Sequence, residues 1–237
     1  LLAPGPVPMS QEVRDNLAQP MLHHRTPAFK KVLAEALEGL KFLFQTRQPV
    51  LMHTSTGSGG MESALVNCLS PGDEILCVVS GKFGQRWAQI AEVYGIHVHR
   101  WELDWGEALD LQKFEQQLRA RPGLKAVLTQ ACETSTGTLH PIKKMAEVVR
   151  KNTTGLFMVD AITAVGCTPV QMDEWGLDVV VAGSQKAFGL PVGLSFVALS
   201  ENAWQAAEEA RCPRFYLDLK RERSANEAGQ TLFSSNV

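Results

Sequence analysis

From about residue 50 onward the chain alternates short, nearly continuous apolar runs with stretches of helical spacing, and this alternation constrains its fold more than any other feature. The strand-like runs are Val50–Thr54, Glu74–Val79, Ile96–Trp101, Leu124–Gln130, Gly155–Asp160, Asp178–Gly183 and Gly193–Leu199. Helical spacing fills the intervals at Met61–Leu69, Gln85–Tyr94, Leu111–Ala120, Pro141–Lys151 and Glu201–Arg211. Strands apolar on both faces and separated by helices predict an α/β domain, a mostly parallel sheet covered on both sides. Ahead of them, Thr26-Pro27 supplies an N-cap and a first-turn proline for a helix whose apolar stripe runs from Phe29 to Phe44. Residues 1–25 are rich in proline and lack periodicity, so they read as an arm lying against something else; Ser224–Val237 is polar and closes no domain.

Composition removes several classes of function. A formal charge of -2 and a pI near 6.3 give no basic footprint for nucleic acid. No apolar run reaches the roughly 18 residues of a membrane span, and no secretory leader opens the sequence. The five cysteines are odd in number and scattered, most of them in or beside apolar runs. Buried thiols in a reducing compartment follow, with the cytoplasm as the expectation.

Three features carry chemistry. Gly57-Ser58-Gly59-Gly60 follows a strand and opens a helix, where backbone N–H groups and the helix dipole form a seat for a phosphate. The spacing is not that of a dinucleotide fingerprint, which needs a third glycine and an acidic residue at the next strand end. Asp160 ends the strand before it, at the carboxyl edge where open α/β sheets bind ligands. An acid buried there needs a cation, and a protonated pyridine nitrogen would serve. Lys186 follows the next apolar strand in Gly183-Ser184-Gln185-Lys186-Ala187-Phe188-Gly189; desolvation would lower its pKa and suit it to forming an imine with an aldehyde. Taken singly, each has a plain structural explanation: a tight turn, a capping aspartate, a snorkelling lysine. Together they meet the needs of pyridoxal 5'-phosphate. His97 and His99 alternate on one strand face without a third ligand, so no metal is expected; Trp87, Trp101, Trp105 and Trp175 read as packing residues.

With these residues in place, the sequence resembles the class V, fold-type I aminotransferases, in particular the alanine/serine–glyoxylate (serine–pyruvate) group. The resemblance runs from Leu2-Ala3-Pro4-Gly5-Pro6-Val7 through Gln45-Thr46-Arg47, Gly57-Ser58-Gly59-Gly60, Glu133-Thr134-Ser135-Thr136-Gly137 and Val159-Asp160-Ala161 to Ser184-Gln185-Lys186. It implies a large cofactor-binding domain at 26–223, a connection at 224–237, and a small C-terminal domain beyond Val237 that would carry the arginine gripping the substrate carboxylate. It implies that Lys186 binds the cofactor as a Schiff base and shuttles a proton, and that Asp160 pairs with the pyridine nitrogen. Ser58, Gly59, Gly60 and Gln185 would hold the phosphate, Thr134 the phenolic oxygen, and Ile162 would pack under the ring. Gly5 would lie near the amino acid, and Thr231 would reach the phosphate of the partner in a homodimer.

The sequence also departs from the group. Phe83 stands where many relatives stack a tryptophan, and Ala228 where a phosphate-binding tyrosine is usual. His23-His24-Arg25-Thr26-Pro27 resembles a branch with broader, aspartate-like donor use. The activity implied is ping-pong transamination of an alanine, serine or aspartate type of amino acid with a 2-oxo acid such as glyoxylate or pyruvate. Two other readings stand beside it: a desulfurase- or kynureninase-like lyase, against which Gln185 counts because a histidine usually precedes that lysine, and an inert cofactor-binding or interaction fragment. Peroxisomal or mitochondrial targeting stays open beside the cytoplasm.

Overall fold

A computed structural model describes residues 3–234; Leu1, Leu2 and residues 235–237 lie outside it, and with them the first residue of the segment from Leu2 to Val7 and the end of the expected connection. Two helices open the chain, α1 (Gln11–Leu17) and α2 (Pro27–Phe44). Thr26 caps α2 as its sequence predicts, its hydroxyl accepting from the Phe29 N–H at 3.3 Å. Then β1 (Val50–His53), α3 (Gly57–Cys68), β2 (Glu74–Val79), α4 (Lys82–Val93), β3 (His97–Glu102), α5 (Leu111–Arg119) and β4 (Ala126–Gln130) alternate. A two-stranded ribbon, β5 (Cys132–Glu133) with β6 (Thr138–Leu139), interrupts them. The alternation resumes with α6 (Ile142–Asn152), β7 (Leu156–Asp160), α7 (Met172–Trp175), β8 (Val179–Gly183), β9 (Ser195–Leu199), α8 (Glu201–Glu209) and α9 (Leu219–Glu227).

Seven strands form one sheet in the order β1-β9-β8-β7-β4-β2-β3, and only β9 runs against the rest. The central strands β4, β7 and β8 are buried throughout. Alternate residues feed two cores, as a pleated strand requires. Phe157 and Val159 of β7 join Phe44, Phe114 and Met145 on the face covered by α2, α5 and α6. Leu156 and Met158 join Met61, Leu65 and Trp87 on the face covered by α3, α4 and α8. The carboxyl ends of β1, β2, β4, β7 and β8 therefore share one edge, and register sets Gln130 beside Asp160 and Asp160 beside Val181 there.

Several sequence expectations change. The arm contains a helix: α1 is capped by Ser10, but it is short and buries no residue, so no apolar stripe marks it. The arm lies on its own chain, with the Val7 N–H donating to the Gln185 carbonyl at 3.1 Å. Helices α3 and α4 start at Gly57 and Lys82 rather than Met61 and Gln85, so both glycine turns are first helical turns. Helix α9 crosses position 223, where the sequence reading ended the large domain, because Asp218 caps it and Glu222 is buried beneath. Trp105 is half exposed with the Lys82 ammonium above its ring, while Trp87 is fully buried. Of the cysteines, Cys167 is exposed and Cys132 half-buried; the other three are buried, and all five are free thiols.

Candidate functional site

Asp160 closes β7 and Lys186 follows β8, its neighbour in the sheet, so the topology alone delivers an acid and an amine to one edge. Asp160 is 5% exposed, and its Oδ1 accepts from the Ile162 N–H at 3.0 Å. Burial raises its carboxyl to about 7, opposing the Ile162 hydrogen bond; Glu133 pushes the same way as burial, and Arg86 and Lys186 pull back. Lys186 is half-buried, and desolvation lowers its ammonium against the pull of Asp160 and Cys132. The lysine sits in a loop tied at its base. Ser184 donates to the Pro191 carbonyl at 2.6 Å and accepts from the Leu194 N–H at 3.2 Å.

The N-terminal arm completes the surroundings of the amine. A Cβ on Gly5 would lie 2.5 Å from both Nζ and Cδ of Lys186, so any side chain there would displace the end of the lysine. Gly5 and Lys186 are thus brought together.

The phosphate seat has an unusual helix start. Thr56, the N-cap of α3, makes no side-chain capping bond, and the first turn holds no acid. The opening amides of α3 are accordingly available to an outside acceptor. Gly60 differs from Ser58 and Gly59 in that its N–H already donates to the Thr56 carbonyl at 3.2 Å. Its contribution is space: a Cβ there would stand 2.9 Å from Val181 Cγ1. Ile162 lies between the two halves of the site, 2.6 Å from where a Cβ of Gly57 would stand and 3.4 Å from that of Gly183. Gln185 has its Oε1 buried with no hydrogen-bond partner. Thr134 shares a 2.7 Å hydrogen bond with Thr163, whose hydroxyl also donates to the Cys132 carbonyl.

Thr231 is not joined to this group by any hydrogen bond among the described residues. It is buried, donates to the Phe233 carbonyl at 2.7 Å and lines a small cavity with Met52, Thr54 and Tyr216. Among the described residues no three His, Cys, Asp or Glu side chains gather in a metal-binding cluster; His99 meets Glu74 at 3.1 Å, and His97 is exposed. A surface cleft opens at the opposite edge, among Leu124, Gly155, Asp178 and Ser200.

Two side chains at the site had no role in the sequence reading. Arg86 donates to Ser58 Oγ at 3.0 Å and places its guanidinium 5.0 Å from the Phe83 ring centroid, joining the glycine turn of α3 to the aromatic of α4. Glu133, fully buried, accepts from the Phe83 and Gly84 amides. Helical spacing could have flagged Arg86, which lies three positions beyond Phe83; Glu133 had no local signal beyond its place in a specific motif.

These residues fit pyridoxal 5'-phosphate. A buried carboxylate without a salt bridge among the described residues awaits a cation, an uncapped helix start and the orphaned Gln185 Oε1 await polar partners, and a desolvated amine lies within electrostatic reach of the carboxylate.

An α/β sheet with a lysine and an aspartate at its carboxyl edge and a helix N-terminus beside them is an arrangement that suits a phosphorylated aldehyde cofactor. The chain belongs to the class V aminotransferase family, whose model matches residues 8–218. It is 39% identical to a soluble hydrogenase 42 kDa subunit of Anabaena cylindrica over its full length and 62% of that protein. It is 38% identical to an L-aspartate–glyoxylate aminotransferase of Paracoccus denitrificans, covering 93% of this chain and 57% of that one. The solved aspartate aminotransferase of Thermus thermophilus superposes with a TM-score of 0.91 at 33% identity, covering 98% of this chain and 65% of its own. The fold is that of the fold-type I aminotransferases, and the chain spans about three fifths of the length of these curated relatives.

Proposed function

We propose that this chain forms the cofactor-binding part of a pyridoxal-phosphate-dependent aminotransferase that moves an amino group from a small amino acid to a 2-oxo acid. The observation that carries this reading is the desolvated Lys186, just past β8, near the buried, cation-seeking Asp160 at the end of the adjacent β7, with Gly5 packed against the amine. Relatives named for glyoxylate as acceptor, with aspartate, ureidoglycine or alanine as donor, support that class of substrate.

When bound, the cofactor supplies an aldehyde that takes up amines covalently and a cationic ring that withdraws electrons from the donor's Cα. Lys186 Nζ is the group that would anchor it and, once released, carry the proton at that carbon; its lowered pKa leaves more of the neutral amine near neutral pH. Asp160 would hold the ring nitrogen protonated. Ser58, Gly59 and Gln185 would hold the phosphate, with Gly60 giving the helix its close approach to the sheet. Thr134 would bind the phenolic oxygen, and Ile162 and Phe83 would lie against the ring. A homodimer, with Thr231 serving the partner's phosphate, belongs to the same proposal.

The test uses the cofactor-loaded protein with alanine, serine and aspartate in turn. A donor added without acceptor should bleach the cofactor's near-visible absorbance, and glyoxylate or pyruvate should restore it while taking up the donor's ¹⁵N. Consumption of the donor with no labelled amino acid formed, or sulfide from cysteine, would replace transamination by a lyase reaction.

A further inference from the structure

The first turn of α4 is held by an unusual device. A helix leaves its first amides without partners inside the helix, and Gly81, the N-cap here, has no side chain to offer them. The partners come from the ribbon that follows β4. The Lys82 N–H donates to Ser135 Oγ at 3.0 Å, the Phe83 N–H to Glu133 Oε2 at 3.1 Å, and the Gly84 N–H to the same oxygen at 3.1 Å. Glu133 Oε1 is engaged in turn by the Ser135 hydroxyl at 2.6 Å. The carboxylate is fully buried, and it lies so close that a Cβ on Gly81 would stand 2.6 Å from Glu133 Cγ and 2.4 Å from Ser135 Oγ. A negative charge buried against a helix start gains both hydrogen bonds and dipole energy. What distinguishes this clamp is the residue it grips. Phe83 is held at its backbone by Glu133 and covered on one ring face by the Arg86 guanidinium, which leaves the other face to present.

We infer that Glu133 is a positioning residue for the cofactor ring: its carboxylate fixes the backbone of Phe83, and through it the angle of the aromatic face. The inference rests on the proposed stacking of Phe83 on pyridoxal 5'-phosphate. Glutamine at 133 keeps the length but offers one acceptor oxygen: turned to the Phe83 and Gly84 amides it sets its NH2 against the Ser135 N–H, which Oε1 accepts at 3.2 Å, and turned the other way it sets that NH2 against the two amides of α4, so in either orientation a donor meets a donor. The first turn must then rotate or fray, and the ring tilts with it.

The experiment is a double-mutant cycle in the cofactor-loaded protein, with Phe83→Leu, Glu133→Gln and both together, read by cofactor dissociation constant, visible circular dichroism of the bound cofactor and melting temperature. Phe83→Leu should weaken binding by about tenfold, the upper range for one aromatic stack. Glu133→Gln should weaken binding by roughly three- to tenfold and reduce the dichroic band, and it should cost nothing further in the Phe83→Leu background, whereas its effect on melting should persist there. Equal losses with and without Phe83, or an unchanged dissociation constant and dichroism in Glu133→Gln, would overturn the inference while leaving the stack intact. If Phe83→Leu itself binds normally, the stacking assignment fails first, and Glu133 has no ring to position. Should Glu133→Gln not accumulate, Ser135→Ala removes the hydroxyl bound to Oε1; a two- to threefold loss confined to the Phe83 background supports the clamp, and an equal loss in both contradicts it.

Discussion

Replacing Asp160 by asparagine should make the cofactor-free protein more stable at alkaline pH, although it harms the loaded enzyme. The Asp160 carboxyl rises from an ordinary 3.8 to about 7 because burial disfavours its charge. An acid raised on folding takes up a proton, so the stability it contributes is present below 3.8, falls as pH rises towards about 7, and is fully lost above. At 1.36 kcal/mol per pH unit that interval corresponds to roughly 4 kcal/mol. Asparagine removes the charge and can still accept from Ile162, but its amide nitrogen gains no obvious partner, which costs about 1–3 kcal/mol. The net gain above neutrality is therefore about 1–3 kcal/mol, or a few degrees in melting temperature for a domain this size. The assay is thermal and urea unfolding of cofactor-stripped wild type and Asp160→Asn between about pH 5 and pH 8. The difference should grow with pH up to about 7 and then flatten, and adding cofactor should reverse it, because only the wild type gains an ion pair with the ring. A difference independent of pH, or a variant less stable than wild type at pH 8 without cofactor, would refute the claim that Asp160 is a strained acid awaiting a cation.

Two further changes test other parts of the account. Gly5→Ala puts a methyl group 2.5 Å from Lys186 Nζ, and with the arm tied to Gln185 the amine must shift; turnover should fall by about 10- to 100-fold at nearly unchanged melting temperature, and full activity would remove the arm from the site. Trp87→Ala empties a fully buried position whose indole donates to the Met61 carbonyl at 3.2 Å, so urea unfolding should report a loss of about 3–5 kcal/mol; a loss under 1 kcal/mol would mean that α4 is not packed as described.

Much of this site could be read in the sequence because strands in a parallel sheet end at a common edge. Asp160 and Lys186 each follow an apolar run, so periodicity alone put them on the same edge, and the order of the strands then made them neighbours. Helix starts were harder. Glycines at 57, 59, 60, 81 and 84 disguised two first turns as loops, because helix propensity disfavours glycine while the close approach of the sheet, of Ile162 and of Glu133 requires it. Helix α1 escaped notice for a different reason: a helix with no buried face leaves no stripe. Glu133 could not be assigned from local pattern, since its partners sit about 50 positions away in sequence; helical spacing sets Arg86 near Phe83, but its hydrogen bond to Ser58 spans 28 positions and forms only once the sheet has formed. Thr231 is assigned to a partner's site by resemblance alone, and among the described residues its hydroxyl donates to the Phe233 carbonyl.

The central claim is that one amine, at position 186, bonds the cofactor. Borohydride reduction of the cofactor-loaded protein followed by peptide mass mapping tests it directly. The account predicts the reduced cofactor on the peptide containing Lys186 and its loss in Lys186→Ala. A stable adduct on another lysine, Lys82 for example, or no adduct in a protein that holds the cofactor, would contradict it.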